Sequence, residues 1–148
     1  MDFEDDSYCI VCGEDNPLSL ELTFEAVESE NGRVRAEFTP DEKLAGFKGY
    51  MHGGIISTLL DEAMAKAIYR QGWQAVTAEM TVRYVEPVRL DQRLRVVGWI
   101  QEKRRRIIET SARLENKMGD ELARSKARFV MKGNRCREPQ EDDKDGDD

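Results

Sequence analysis

Residues 50–64 read YMHGGIISTLLDEAM. The stretch holds the sole histidine of the chain, His52, followed at once by Gly53 and Gly54. Nine residues after the histidine come two adjacent acids, Asp61 and Glu62. The apolar residues around them recur in pairs, Ile55/Ile56, Leu59/Leu60, Ala63/Met64 and Ala67/Ile68. A recurrence of about four residues is helical. Glycines that open a helix offer backbone N–H groups without an intrahelical acceptor, at the positive end of the dipole and with no side chain in the way. Such donors suit an oxygen that turns negative during a reaction.

A carboxylate on so apolar a helix is costly to bury without a partner or a task. Glu62 has Lys66 four residues on, at salt-bridge spacing. Asp61 has no basic residue three or four positions away in either direction. It lines up with Ser57, Ala65 and the Gly54 end, a row of small side chains with room for a substrate and a water. The expectation is that Asp61 acts as general base or nucleophile while Glu62 is mainly structural. Taken singly, the glycines read as close packing and His52 as a satisfied core residue; the joint pattern favours a site.

Two further motifs carry possible chemistry. The basic run Lys103–Arg106 suits an anionic ligand, although a solvated strand corner accounts for at least two of its four cations. Cys9 and Cys12, in CIVC, have the spacing of half a zinc site. A closed site needs four ligands, and the candidates left are Cys136 and His52. The expectation is therefore no metal, with both thiols reduced in a leader packed on the body.

The elements that must position these residues follow from periodicity. LELTFEAVE (20–28) alternates and turns at Asn31-Gly32 into RVRAEFT (33–39), a hairpin signal. The helix runs from Gly54 to about Arg70, with Gly72 as its stop. Strand-like stretches follow at 77–85, 94–100, 106–115 and 121–132, joined by short turns, which predicts an antiparallel meander. Two strands, one helix and four strands make an α+β chain, a curved antiparallel sheet wrapped around one long central helix. Residues 1–16 read as an acidic leader with the CxxC, 17–133 as one domain, and 134–148 as an acidic disordered tail.

At 148 residues the chain has room for one proper core, and its 39% apolar and 36% charged residues give a soluble balance. Of the net charge of −7, most sits in MDFEDD and EDDKDGDD; without these ends the body is mildly basic. No apolar run approaches the length of a membrane span, and the acidic N-terminus is the reverse of a secretory n-region, so a cytoplasmic protein is expected. An odd count of three cysteines argues against a disulfide framework. The short KRRR run and the acidic ends oppose a nucleic-acid partner.

This order of elements, with HGGIISTLLDEA and the later AVTAEMTVRYVEPV (75–88), resembles the hotdog-fold thioesterases, and within them the PaaI-like (phenylacetyl-CoA thioesterase) group. The similarity covers roughly residues 9–132 and includes the opening CIVCGEDNPLSLELTF. The resemblance implies hydrolysis of an acyl-CoA thioester to free acid and CoA, with no metal or organic cofactor. It implies a homodimer or dimer of dimers, in which the HGG loop of one subunit faces the helix acid of another. On that basis Asp61, Gly54, His52 and Thr77 are the expected catalytic residues. Gly53, Ser57, Arg104 and Arg106 are expected to bind substrate, the arginines at the CoA phosphates. Where many relatives carry Asn or Gln, six residues before the histidine, this chain has Gly46. A hotdog dehydratase would usually have a Pro-Gly entrance, absent here, and a non-catalytic acyl-CoA-binding module would have no need of Asp61.

Overall fold

The computed structural model describes residues 7–27 and 32–134. Asn31, Cys136 and the acidic tail lie outside the described residues. The elements are β1 (Glu25–Ala26), β2 (Val34–Phe38), a 3-10 turn (Glu42–Leu44), α1 (Gly53–Tyr69), β3 (Trp73–Tyr84), β4 (Leu94–Arg104), β5 (Ile107–Asn116) and β6 (Glu121–Asn134). The strands form one antiparallel six-stranded sheet in the order β1-β2-β4-β5-β6-β3. The sheet curves around α1, which touches β2, β3, β4, β5 and β6. This is the α+β hotdog architecture that the motifs resemble.

The apolar pairs of α1 explain its place. Leu59, Leu60, Ala63, Met64 and Ala67 are fully buried. Burying a leucine contributes about 1.5–3 kcal/mol, so this face holds the helix against the sheet more firmly than helix propensity does. A Cβ on Gly98 would lie 2.5 Å from the Ala63 backbone, so β4 approaches α1 this closely only because position 98 lacks a side chain. The Gly72 amide closes the helix end on the Tyr69 carbonyl, 2.9 Å away.

Three expectations need correction. The strand over 20–28 shrinks to Glu25–Ala26. The amides of Leu20 and Leu22 instead donate to the carbonyls of Ile10 and Val11, and Glu21 takes a left-handed φ of 55° that breaks the extended chain. Second, only β4, β5 and β6 form a meander. The helix carries the chain across the sheet, so β3 pairs with β6 at the far edge rather than with β4. Third, β3 starts at Trp73 and β4 runs on to Arg104, because cross-strand pairing extends both beyond their apolar runs.

Candidate active site

His52 caps α1. Its backbone is extended (φ −66°, ψ 134°), held by its N–H to the Leu44 carbonyl at 2.9 Å, and its own carbonyl accepts from Ile55 and Ile56. Its Nδ1 accepts from the Gly54 N–H at 2.8 Å. A neutral imidazole that accepts at Nδ1 carries its proton on Nε2, so the exposed side of the ring is a donor. The cap explains Gly54: a Cβ there would stand 3.0 Å from both Cε1 and Nδ1 of His52. Gly46 packs against the same residue, and a Cβ at 46 would lie 3.1 Å from the His52 Cα. The position where relatives carry an amide side chain is filled here by the histidine itself.

The Gly54 N–H, the donor singled out from the sequence, is thus engaged by His52. The Gly53 N–H has no acceptor among the described residues. The Gly53 carbonyl accepts from the Tyr84 hydroxyl at 3.2 Å, and that hydroxyl lies 2.6 Å from Ser57 Oγ. Ser57 is half-buried and shares its hydroxyl with Tyr84. Tyr84 is not among the residues that the helix motif marks; its signal in the sequence is the aromatic in VRYVEPV, at the end of the strand that follows the helix.

Asp61 and Thr77 do meet. Thr77 Oγ1 donates to Asp61 Oδ1 at 2.7 Å, across the gap between α1 and β3. The other carboxylate oxygen of this half-buried aspartate is left for another proton donor. Glu62, one residue on, points about 100° away around the helix, where Lys66 Nζ is 3.8 Å from its Oε2. Gly53 and Asp61 lie eight residues apart, about 12 Å along the helix axis, with the Ser57–Tyr84 pair between them.

A mostly apolar groove of about 540 Å³ borders Gly53, lined by Phe47, Tyr50, Ile56, Tyr84, Val85 and Val88 among others. Phe47 is 87% exposed and Tyr84 52% exposed at its mouth. The basic corner is partly committed within its own chain. Arg104 pairs with Glu102 at 2.5 Å, Arg106 donates to the Met131 carbonyl at 3.0 Å, and Lys103 lies over the Trp73 ring at 5.1 Å. Met131 lies on β6 and is paired with Ala75 of β3, so Arg106 is tied to the strand next to the one that supplies Thr77.

The sequence and the fold have known counterparts. The thioesterase superfamily matches residues 48–123, just over half of the chain, including His52, Asp61 and Thr77. The chain belongs to the thioesterase superfamily, and it is a thioester hydrolase with the hotdog fold. Human acyl-coenzyme A thioesterase 13 is 26% identical over 98 residues, covering 65% of this chain and 70% of that protein. The crystal structure of a thioesterase superfamily protein superposes with a TM-score of 0.79 at 27% identity, over 84% of this chain and 63% of that one. A Streptococcus mutans protein bound to acetyl CoA shares the fold, with a TM-score of 0.71 at 23% identity over 78% of this chain and 91% of that one. Among the described residues, no helix is long and apolar enough to cross a membrane.

Proposed function

We propose that the protein hydrolyses acyl-CoA thioesters to the free acid and CoA, at sites shared between two copies of the chain. The observation that carries this reading is the Thr77–Asp61 contact of 2.7 Å on the same helix as, and about 12 Å from, an entrance whose Gly53 N–H is open. The acyl-CoA class is supported by the human acyl-coenzyme A thioesterase and by the neighbour that binds acetyl CoA.

In the proposed reaction Asp61 takes a proton from water as the water oxygen bonds to the thioester carbonyl carbon. Thr77 holds the carboxylate through Oδ1 so that Oδ2 faces the water. The carbonyl oxygen, now negative, is received by the Gly53 N–H and by Nε2–H of His52. As the oxyanion reforms the carbonyl, the C–S bond breaks, and the CoA sulfur takes from Asp61 the proton that the water gave up, which restores the carboxylate. The apolar groove beside Gly53 receives the acyl group, its volume lying within the usual range for small-ligand pockets. Arg104 and Arg106 meet the CoA phosphates.

Two chains are needed because an oxyanion donor must lie about 3 Å from the carbonyl oxygen, whereas Gly53 and Asp61 of one chain are about 12 Å apart along the axis. A second copy solves this by bringing its Asp61 to the first copy's Gly53. Strand β3 offers the means: it is an edge strand of twelve residues with one side unpaired, the usual template for pairing with another chain. We place the homo-oligomer in the cytoplasm, where CoA thioesters occur and thiols stay reduced.

Free-thiol release from acyl-CoAs of graded length and aromaticity tests the activity. Asp61→Asn should lower kcat by at least ~10²-fold, the lower end for loss of a general base, while leaving the fold intact. Glu62→Gln should cost far less. Loss of turnover in Glu62→Gln with near-normal kcat in Asp61→Asn would overturn the assignment.

A further inference from the structure

The N-terminal segment closes a tight loop over α1. Gly13 N–H donates to the Cys9 carbonyl at 2.9 Å, and a Cβ at Gly13 would lie 2.4 Å from the Cys9 nitrogen. The sequence CxxCG is thereby folded so that Cys9 and Cys12 come together. Val11, between them, is 3% exposed and packs in the core. Backbone bonds of 3.0 Å from Leu20 to Ile10 and from Leu22 to Val11 fix the loop to the body. The Val11 N–H also points at Cys9 Sγ, 3.3 Å away.

The thiols face the helix, where Glu62 presents a carboxylate. Cys9 Sγ lies 3.8 Å from Glu62 Oε2, and ligand atoms of Cys9, Cys12 and Glu62 all lie within 4.8 Å of one another. A tetrahedral ion with Zn–S bonds of about 2.3 Å and Zn–O of about 2.0 Å has ligand–ligand edges of about 3.5–3.8 Å. The cluster, all within 4.8 Å, is within about 1.3 Å of that size.

We propose that Cys9, Cys12 and Glu62 form a zinc site that pins the N-terminal segment to α1. Two thiolates select a soft-tolerant, tetrahedral ion over magnesium or calcium. Their charge and that of the carboxylate exceed the ion's by one, and Lys66, 3.8 Å from Glu62, balances the excess. Cys12 and Lys66 also border an open groove of about 360 Å³, which provides an entry path and room for water as fourth ligand. The expectation of no metal counted only cysteine and histidine as completing ligands; the third ligand comes from a helix carboxylate 53 residues from Cys9. Because Glu62 faces away from Asp61, this ion lies outside the thioester chemistry, and its test does not depend on catalysis.

The test is titration of the full, metal-stripped chain with zinc against a chromophoric chelator, together with cobalt(II) substitution read by its thiolate charge-transfer absorption. The expected result is stoichiometric zinc in the wild type and thiolate-to-cobalt absorption. Glu62→Ala and Cys12→Ser should each weaken zinc by more than ~100-fold, beyond the range for residues that merely orient a ligand. Asp61→Asn should bind zinc as the wild type does. Glu62→Ala leaves both cysteines and favours the helix, so it remains informative if Cys12→Ser does not fold. Wild-type binding no tighter than that of Glu62→Ala, or cobalt absorption without a sulfur band, overturns the proposal.

Discussion

Replacing Gly53 by proline removes one N–H and little else. Gly53 is the first residue of α1, the position where proline is best tolerated because its missing N–H has no intrahelical acceptor anyway. The residue before proline must be extended, and His52 already is, at φ −66° and ψ 134°. A Cβ at position 53 would meet only Tyr84 ring and hydroxyl atoms at 3.7–3.9 Å, ordinary contact distances. Stability should therefore hold, or rise by up to about 1 kcal/mol as the unfolded chain loses freedom. If the Gly53 N–H receives the oxyanion, its removal should lower kcat by about 10²–10³-fold. Gly53→Ala adds a similar Cβ but keeps the N–H, so it should retain most activity. Thiol release under saturating acyl-CoA, with a thermal melt for each variant, gives both readouts. A second arm uses mixtures: when Gly53→Pro and Asp61→Asn chains are refolded together at equal amounts, random pairing should restore about a quarter of wild-type activity. A folded Gly53→Pro enzyme with kcat within about threefold of wild type would refute the donor assignment. Mixtures as inactive as their components would refute the shared site.

Three other outcomes are expected. Thr77→Val, which deletes the 2.7 Å bond to Asp61 but keeps a β-branched strand residue, should lower kcat by about tenfold, from a charged hydrogen bond of about 1.5 kcal/mol, with little change in melting temperature. Gly46→Ala should press a Cβ on the His52 Cα, destabilise the protein by about 1–3 kcal/mol in a denaturant titration and reduce kcat with it. Replacing Arg104 and Arg106 by Gln should raise KM for CoA thioesters more than for short thioesters without the nucleotide; equal effects on both would count the corner as structural. Arg106→Gln alone should also lower the melting temperature, because its bond to the Met131 carbonyl joins β6 to the corner.

What was legible in the sequence was local. The paired apolar residues of 55–68 report one buried helix because they interact with the same face at short range, and the HGG entrance with its acid nine residues on is read off the same element. Thr77 was found through resemblance to a family motif, and the structure sets it on Asp61. The misses involve distance or rotamer. The alternation at 20–28 looks like a strand, yet its amides are taken by the leader, which no period-two pattern reports. That His52 would turn back and occupy the Gly54 N–H depends on one side-chain torsion. The Tyr84–Ser57 contact and the approach of Cys9 to Glu62 join residues 27 and 53 positions apart. Neither is written in any local spacing.

The two adjacent acids show how one helix serves both needs. A step of one residue turns a side chain by about 100°, so Asp61 faces β3 while Glu62 faces the N-terminal segment. Each acid is met by a group from a different part of the chain: a threonine hydroxyl for Asp61, two thiols and a lysine for Glu62. Neither carboxylate could change places with the other. At position 62 a base would be neutralised by Lys66 and screened by the leader, far from the edge where a second chain can pair. At position 61 a structural carboxylate would stand at the open edge strand with one oxygen unused. The chemistry proposed for Asp61 therefore rests on where β3 ends the sheet, and the anchor proposed for Glu62 rests on what remains on the helix once that edge is taken.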